Sequence, residues 1–118
     1  MGPVNWMAVV LGAMVAAGVA WPWYRAMGRA MPHAGRLLAL FVPASLIGHN
    51  FARVGAPMLA GKPWLYWMMS GGFALSIILP AQIVSDGRHG VVWRETCVDA
   101  GYWLVSFLAM GTVFWALK

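Results

Sequence analysis

The chain has 118 residues, of which 62% are apolar or aromatic, and its charges are limited to eight basic and three acidic side chains, 9% of the whole. A soluble domain carries roughly 25% charged residues, and so few charges cannot give each helix of a soluble bundle a polar face. The composition therefore excludes a water-soluble globule, a disordered segment, a disulfide scaffold and a nucleic-acid domain, whose charge would form a basic stripe. It predicts an all-α, integral membrane four-helix bundle in a single domain, residues 1–118.

Spanning the hydrocarbon takes about 20 helical residues, because only internal hydrogen bonds satisfy the backbone in lipid. The first such stretch, 4–24, holds no charged side chain. Asn5 stands at its start, placed to cap the helix or to bond a neighbouring one. Ala8, Gly12, Ala16 and Ala20 recur every four residues on one face, a seam that lets another helix approach closely. A secretory signal is disfavoured, since Gly18-Val19-Ala20 is a weak cleavage site and no basic segment precedes the apolar run. Trp6 occupies the position where a myristoylation signal needs serine or threonine.

A second span covers 36–53. His49, Asn50 and Arg53 form its densest polar cluster, with His49 and Arg53 four residues apart on one face. With Arg53 at the hydrocarbon edge, His49 lies about 6 Å inside it. The bland reading lets Arg53 snorkel to phosphates and His49 bond to backbone. The functional readings are lipid headgroup or anionic-ligand binding at all three residues, or a haem or pigment on His49, with Ser45 leaving room for a ring. No cofactor is predicted beyond that minor alternative, and no metal site.

The third span, 63–84, opens on Pro63 and is followed by Ser85-Asp86-Gly87 as turn chemistry. Ser70, Gly71, Gly72, Ala74 and Ser76 are its small residues. The fourth span, 99–117, has a helix that starts as early as Val91, with Gly101, Ala109 and Gly111 as small residues. Asp99, near its start and flanked by Tyr102, Trp103 and Ser106, reads as a helix-dipole carboxylate or as the partner of Arg25 or Arg29, with a proton or cation site as the alternative. Kinks are expected near Ala39 and Ser76, four residues before Pro43 and Pro80, and Pro22 lies near the end of the first span.

Short connections at 25–35, 54–62 and 85–98 make successive spans antiparallel neighbours in an up-down-up-down order. The first and third loops carry Arg25, Arg29, Arg36, Arg88 and Arg94, against Arg53, Lys62 and Lys118 opposite. The positive-inside rule then puts both termini in the periplasm of a bacterial inner membrane. Trp64, Tyr66 and Trp67 at one boundary, and Trp21, Trp23 and Tyr24 at the other, read as interfacial belts. Cys97 stands alone and forms no internal disulfide.

Two segments carry a resemblance. Asn5-Trp6-Met7-Ala8-Val9-Val10 with Trp21-Pro22-Trp23-Tyr24, and Asp99-Ala100-Gly101-Tyr102-Trp103-Leu104-Val105-Ser106-Phe107 with Met110-Gly111, resemble a family of small bacterial four-helix membrane proteins catalogued as a domain of unknown function. The resemblance implies the fold and carries no activity.

His33, His49, His89 and Cys97 lack metal-ligand spacing, and no nucleophile and base pair or phosphate-cradling loop occurs, so no catalytic residue is assigned. Two functions fit. One is a subunit acting by helix association in the lipid bilayer, either self-assembling as a homo-oligomer or attached to other membrane subunits of a respiratory or photosynthetic complex. The other is a small oligomeric transporter or channel for a proton or small solute, with His49, Asn50, Gln82 and Asp99 along a polar path.

Overall fold

The computed structural model describes residues 3–118. Four helices are long and apolar enough to cross a membrane: α1 (Trp6–Ala26), α2 (Ala34–Val54), α4 (Leu65–Arg88) and α5 (Trp93–Ala116). A short helix, α3 (Ala56–Gly61), fills the connection between α2 and α4. The four long helices pack as an all-α four-helix bundle in which α1 meets α2 and α5, and α5 meets α4. Helices α2 and α4 also meet, with Phe51 tilted on Tyr66 at 4.9 Å between ring centroids.

Local chemistry sets the boundaries. Asn5 caps α1, its side-chain oxygen accepting from the Ala8 amide at 3.1 Å, while its Nδ2 donates to the Leu117 carbonyl at 3.0 Å. One residue thus performs both roles expected of it and ties the two terminal helices together. At the other end Gly28 takes φ +68°, and the Arg29 amide donates to the Tyr24 carbonyl at 2.8 Å, a Schellman closure open to glycine at low cost. The same closure ends α4 at Gly90, φ +69°, with the Val91 amide donating to Asp86 at 2.9 Å.

Ser85-Asp86-Gly87 is therefore the last turn of α4 and not a reversal, a correction to the sequence reading. The left-handed glycine three residues on stops the helix, and the Asp86 carboxylate faces the bundle. Pro63 likewise sits in the turn before α4, which begins at Leu65. The fourth helix starts at Trp93, so Asp99 lies nearly two turns inside it. Both anticipated proline distortions occur: α2 tightens to a 3-10 turn at Leu38–Leu40 and α4 widens to a π turn at Ala74–Ile78. The wide turn includes Ser76, whose carbonyl Pro80 leaves without an amide partner.

Because lipid tails are as apolar as leucine, association between these helices rests on close packing and a few hydrogen bonds. The stripe of α1 supplies the first: Ala8, Ala16 and Ala20 are fully buried, and a Cβ on Gly12 would lie 3.8 Å from Met110 of α5. The seam is thus used within the chain. Tyr102 of α5 donates to the Ala16 carbonyl at 2.8 Å across it. Gly48 of α2, which the sequence reading passed over, admits Val9 so closely that an added Cβ would stand 2.7 Å from Cγ2.

Glycines of α4 and α5 divide by position. Gly111 packs on Ser70 and on the Tyr66 carbonyl, Gly71 faces Leu108 at 2.9 Å, and Gly101 faces the Trp23 ring at 2.5 Å, distances taken from an added Cβ. Gly72 has open space there, in contrast to its neighbour. Gly101→Ala is expected to push Trp23 aside and break its indole bond to the Val98 carbonyl, now 2.9 Å, costing about 1–2 kcal/mol by over-packing. Detergent unfolding measures it, and an unaltered midpoint would contradict the geometry.

The aromatic belts are partial. Trp21 and Trp64 are exposed as interfacial rings would be, whereas Tyr24 and Tyr66 turn inward and are buried. Helix rotation, fixed by the packing of the small-residue faces, takes these two tyrosines off the lipid surface.

Candidate functional site

Polar side chains gather mainly at the end of the bundle that carries the α1–α2 and α4–α5 connections. Tyr24 donates to Asp99 Oδ1 at 2.6 Å, and its ring lies 5.4 Å from that of Tyr102. Arg29 Nε donates to Glu95 Oε1 at 2.6 Å, the single ion pair among the described residues. Arg25 lies 5.0 Å over the Trp21 ring. Asp99 therefore takes a phenol where the sequence suggested an arginine, and Arg29 goes instead to Glu95, one turn earlier on α5. The spacing of four residues between Glu95 and Asp99 was the available clue.

Next to this row, Asp86 Oδ2 accepts from Thr96 Oγ1 at 2.9 Å and from Gln82 Nε2 at 3.2 Å. Gln82 Nε2 also reaches the Thr96 carbonyl at 3.3 Å, and Gln82 Oε1 is the one buried side-chain polar atom without a partner among the described residues. The cluster stitches the last turns of α4 to the first turns of α5. Gln82 and Asp86 share a helix face, a signal legible in their spacing but overshadowed by the turn reading.

His49, Asn50 and Arg53 do not converge on a common point. His49 is exposed on α2, packed edge-on against Trp6 at 5.4 Å, and its Nδ1 lies 2.7 Å from the Ser45 carbonyl. A carbonyl only accepts, so Nδ1 carries the hydrogen, and in the neutral ring Nε2 presents its lone pair. Asn50 donates to the Leu46 carbonyl at 2.8 Å, and Arg53 is exposed at the helix end. Among the described residues no group of three His, Cys, Asp or Glu could hold a metal ion. A purified sample is expected to show no visible absorption band, whereas a Soret band lost on His49→Leu would place a haem on His49.

The opposite end, around the chain termini and α3, holds a cavity of ≈260 Å³. Gly48, Phe51, Leu59, Tyr66 and Phe114 line it, with Asn5 and Lys118 also on its wall. Phe51 packs on Phe114 at 5.2 Å and Lys118 Nζ lies 4.6 Å above the Trp115 ring. The bundle centre is packed mainly by apolar side chains, with Phe107 and Met110 fully buried alongside the hydroxyls of Ser70 and Ser106.

Compared with family models, characterised proteins and solved structures, the chain matches none. Four apolar helices mark it as a small multi-pass membrane protein.

Proposed function

We propose that the protein acts by helix association, as a self-assembling unit or as an accessory subunit of a larger complex in a bacterial inner membrane. In this reading both termini are periplasmic. The observation that carries it is the placement of exposed His49 and half-exposed Asn50 on α2, about one turn before Arg53 at its end. A polar side chain facing lipid is costly, and a hydrogen bond to a neighbouring helix relieves that cost. The Nε2 lone pair of His49 offers an acceptor to such a helix. The small-residue seam is already used internally, so the contact runs through α2 and the exposed aromatic and methionine surface near it, including Trp6 and Met7.

The transporter alternative draws no support from the monomer, where His49 and Asn50 lie outside the packed centre and Asp99 is engaged by Tyr24. Blue-native electrophoresis and cross-linking from mild detergent test the association reading. A dimer, higher oligomer or defined co-purifying subunit is expected, reduced about threefold to twentyfold in affinity by His49→Leu, in line with about 0.6–1.7 kcal/mol for an intramembrane hydrogen bond. A strictly monomeric species without partner overturns it. Proton or solute flux in liposomes that falls on Asp99→Ala would favour transport instead.

A further inference from the structure

The cavity beside α3 and the charge around it have no part in helix association. All three acidic residues of the chain, Asp86, Glu95 and Asp99, lie at the far end of the bundle, where each has a polar partner. The near end holds Arg53, Lys62 and Lys118 and not one carboxylate side chain. Lys118 stands on the wall of the cavity, whose interior is formed by Phe51, Leu59, Tyr66 and Phe114. The chamber is therefore apolar inside, cationic at one wall, and located where a membrane helix bundle meets the headgroup layer.

At ≈260 Å³ the space is larger than an apolar cavity of about 150 Å³, which is already enough for a benzene ring. Water is a poor occupant, because it needs two to four polar partners and the Asn5 side chain is already engaged on both atoms. An apolar chain suits these mainly hydrocarbon and aromatic walls, on which the Tyr66 hydroxyl, without a hydrogen-bond partner among the described residues, is the one free polar side-chain group besides Lys118. The basic side chains of this end, Arg53, Lys62 and Lys118, favour an anion at its mouth.

We infer that this cavity binds an anionic amphiphile, one acyl chain entering between Phe51, Leu59 and Phe114 while its acidic headgroup rests on Lys118. Phospholipid and free fatty acid share that chemistry. The site is separate from the outward His49 surface, and its occupancy does not depend on the oligomeric state.

Native mass spectrometry of the full chain in nonionic detergent, titrated with dioleoyl phosphatidylglycerol, dioleoyl phosphatidylcholine or oleate, tests this. One anionic adduct per chain is expected, with phosphatidylcholine retained several-fold less. Retention of oleate in preference to phosphatidylglycerol identifies a free fatty acid as the source, and the reverse identifies a phospholipid. Lys118→Gln, on the surface and harmless to folding, is expected to weaken the anionic adduct about fivefold, the equivalent of about 1 kcal/mol per basic residue, without altering phosphatidylcholine. Ala52→Phe, which fills the cavity wall, should abolish the adduct. Equal retention of both phospholipids with oleate unbound, or an anionic adduct indifferent to Lys118→Gln, overturns the proposal.

Discussion

Gly111→Ala is expected to be the most damaging single-methyl change in the protein, lowering stability by about 2–3 kcal/mol. The added Cβ would stand 2.6 Å from the Tyr66 carbonyl oxygen and closer still to Ser70 Oγ. Ser70 is fully buried and its hydroxyl donates to that same Tyr66 carbonyl at 2.8 Å, so neither atom has room to retreat. The α4 backbone must move away from α5, taking with it the bond of 2.8 Å from Trp67 Nε1 to Thr112 Oγ1. Gly72→Ala supplies the control. Nothing lies within 4 Å of its added Cβ, and the greater helix propensity of alanine, up to about 1 kcal/mol, makes that variant neutral or more stable. Unfolding of the pair in mixed micelles measures the difference, and equal midpoints would refute the assigned helix register.

Tyr24→Phe is expected to cost about 1.5–3 kcal/mol, the range for a hydrogen bond to a charged group, although the ring and its packing survive. The phenol is the sole hydrogen-bond donor to the Asp99 carboxylate among the described residues, at 2.6 Å. Losing it leaves a half-buried anion on α5 beside Tyr102. Adding Asp99→Asn to Tyr24→Phe removes the stranded charge and should restore about half of the loss, because what remains is a neutral amide. A double variant as unstable as Tyr24→Phe alone would show that the stranded charge is not the source of the loss. Tyr102→Phe, by contrast, removes only a neutral bond to the Ala16 carbonyl and is expected to cost about 0.6–1.7 kcal/mol.

The reach of sequence reasoning differs from residue to residue. Four spans follow from scarce charges and apolar length, and the repeat of Ala8, Gly12, Ala16 and Ala20 marks a packing face because helical periodicity alone places them together. Asn5 is equally legible, since its side chain suits a cap and its place is at a helix start. The target of each face is not. Whether Gly71 or Gly72 meets α5 depends on a rotation of about 100° between adjacent residues, and that rotation is set by the whole interface. The same is true of Tyr24 and Tyr66, which composition assigns to the headgroup layer and packing takes inward.

Polar pairings were the least accessible. Arg29 with Glu95, and Gln82 and Asp86 with Thr96, depend on how α1 and α4 are set against the first turns of α5. A helix starting at Trp93 brings Glu95 and Thr96 to that meeting point. A helix begun near Val91 already includes them, but nothing in their spacing names Arg29, Gln82 or Asp86 as their partners. Likewise the cavity beside α3 arises from residues far apart in the chain, Gly48, Leu59 and Phe114 among them, and no local pattern announces it.

The close embrace of α1 and α5 also has a consequence for biogenesis. Helix α1 finds its main companion in α5, which follows it by more than sixty residues, at about 5–20 residues per second a wait of several seconds. During that interval the alanine and glycine face of α1 has only α2 beside it, and the carbonyl of Ala16 awaits Tyr102. A nascent chain halted before Trp93 would therefore display an adhesive strip to every other helix in the bilayer. Arrival of α5 is what withdraws it, so quality control of this protein turns on that helix.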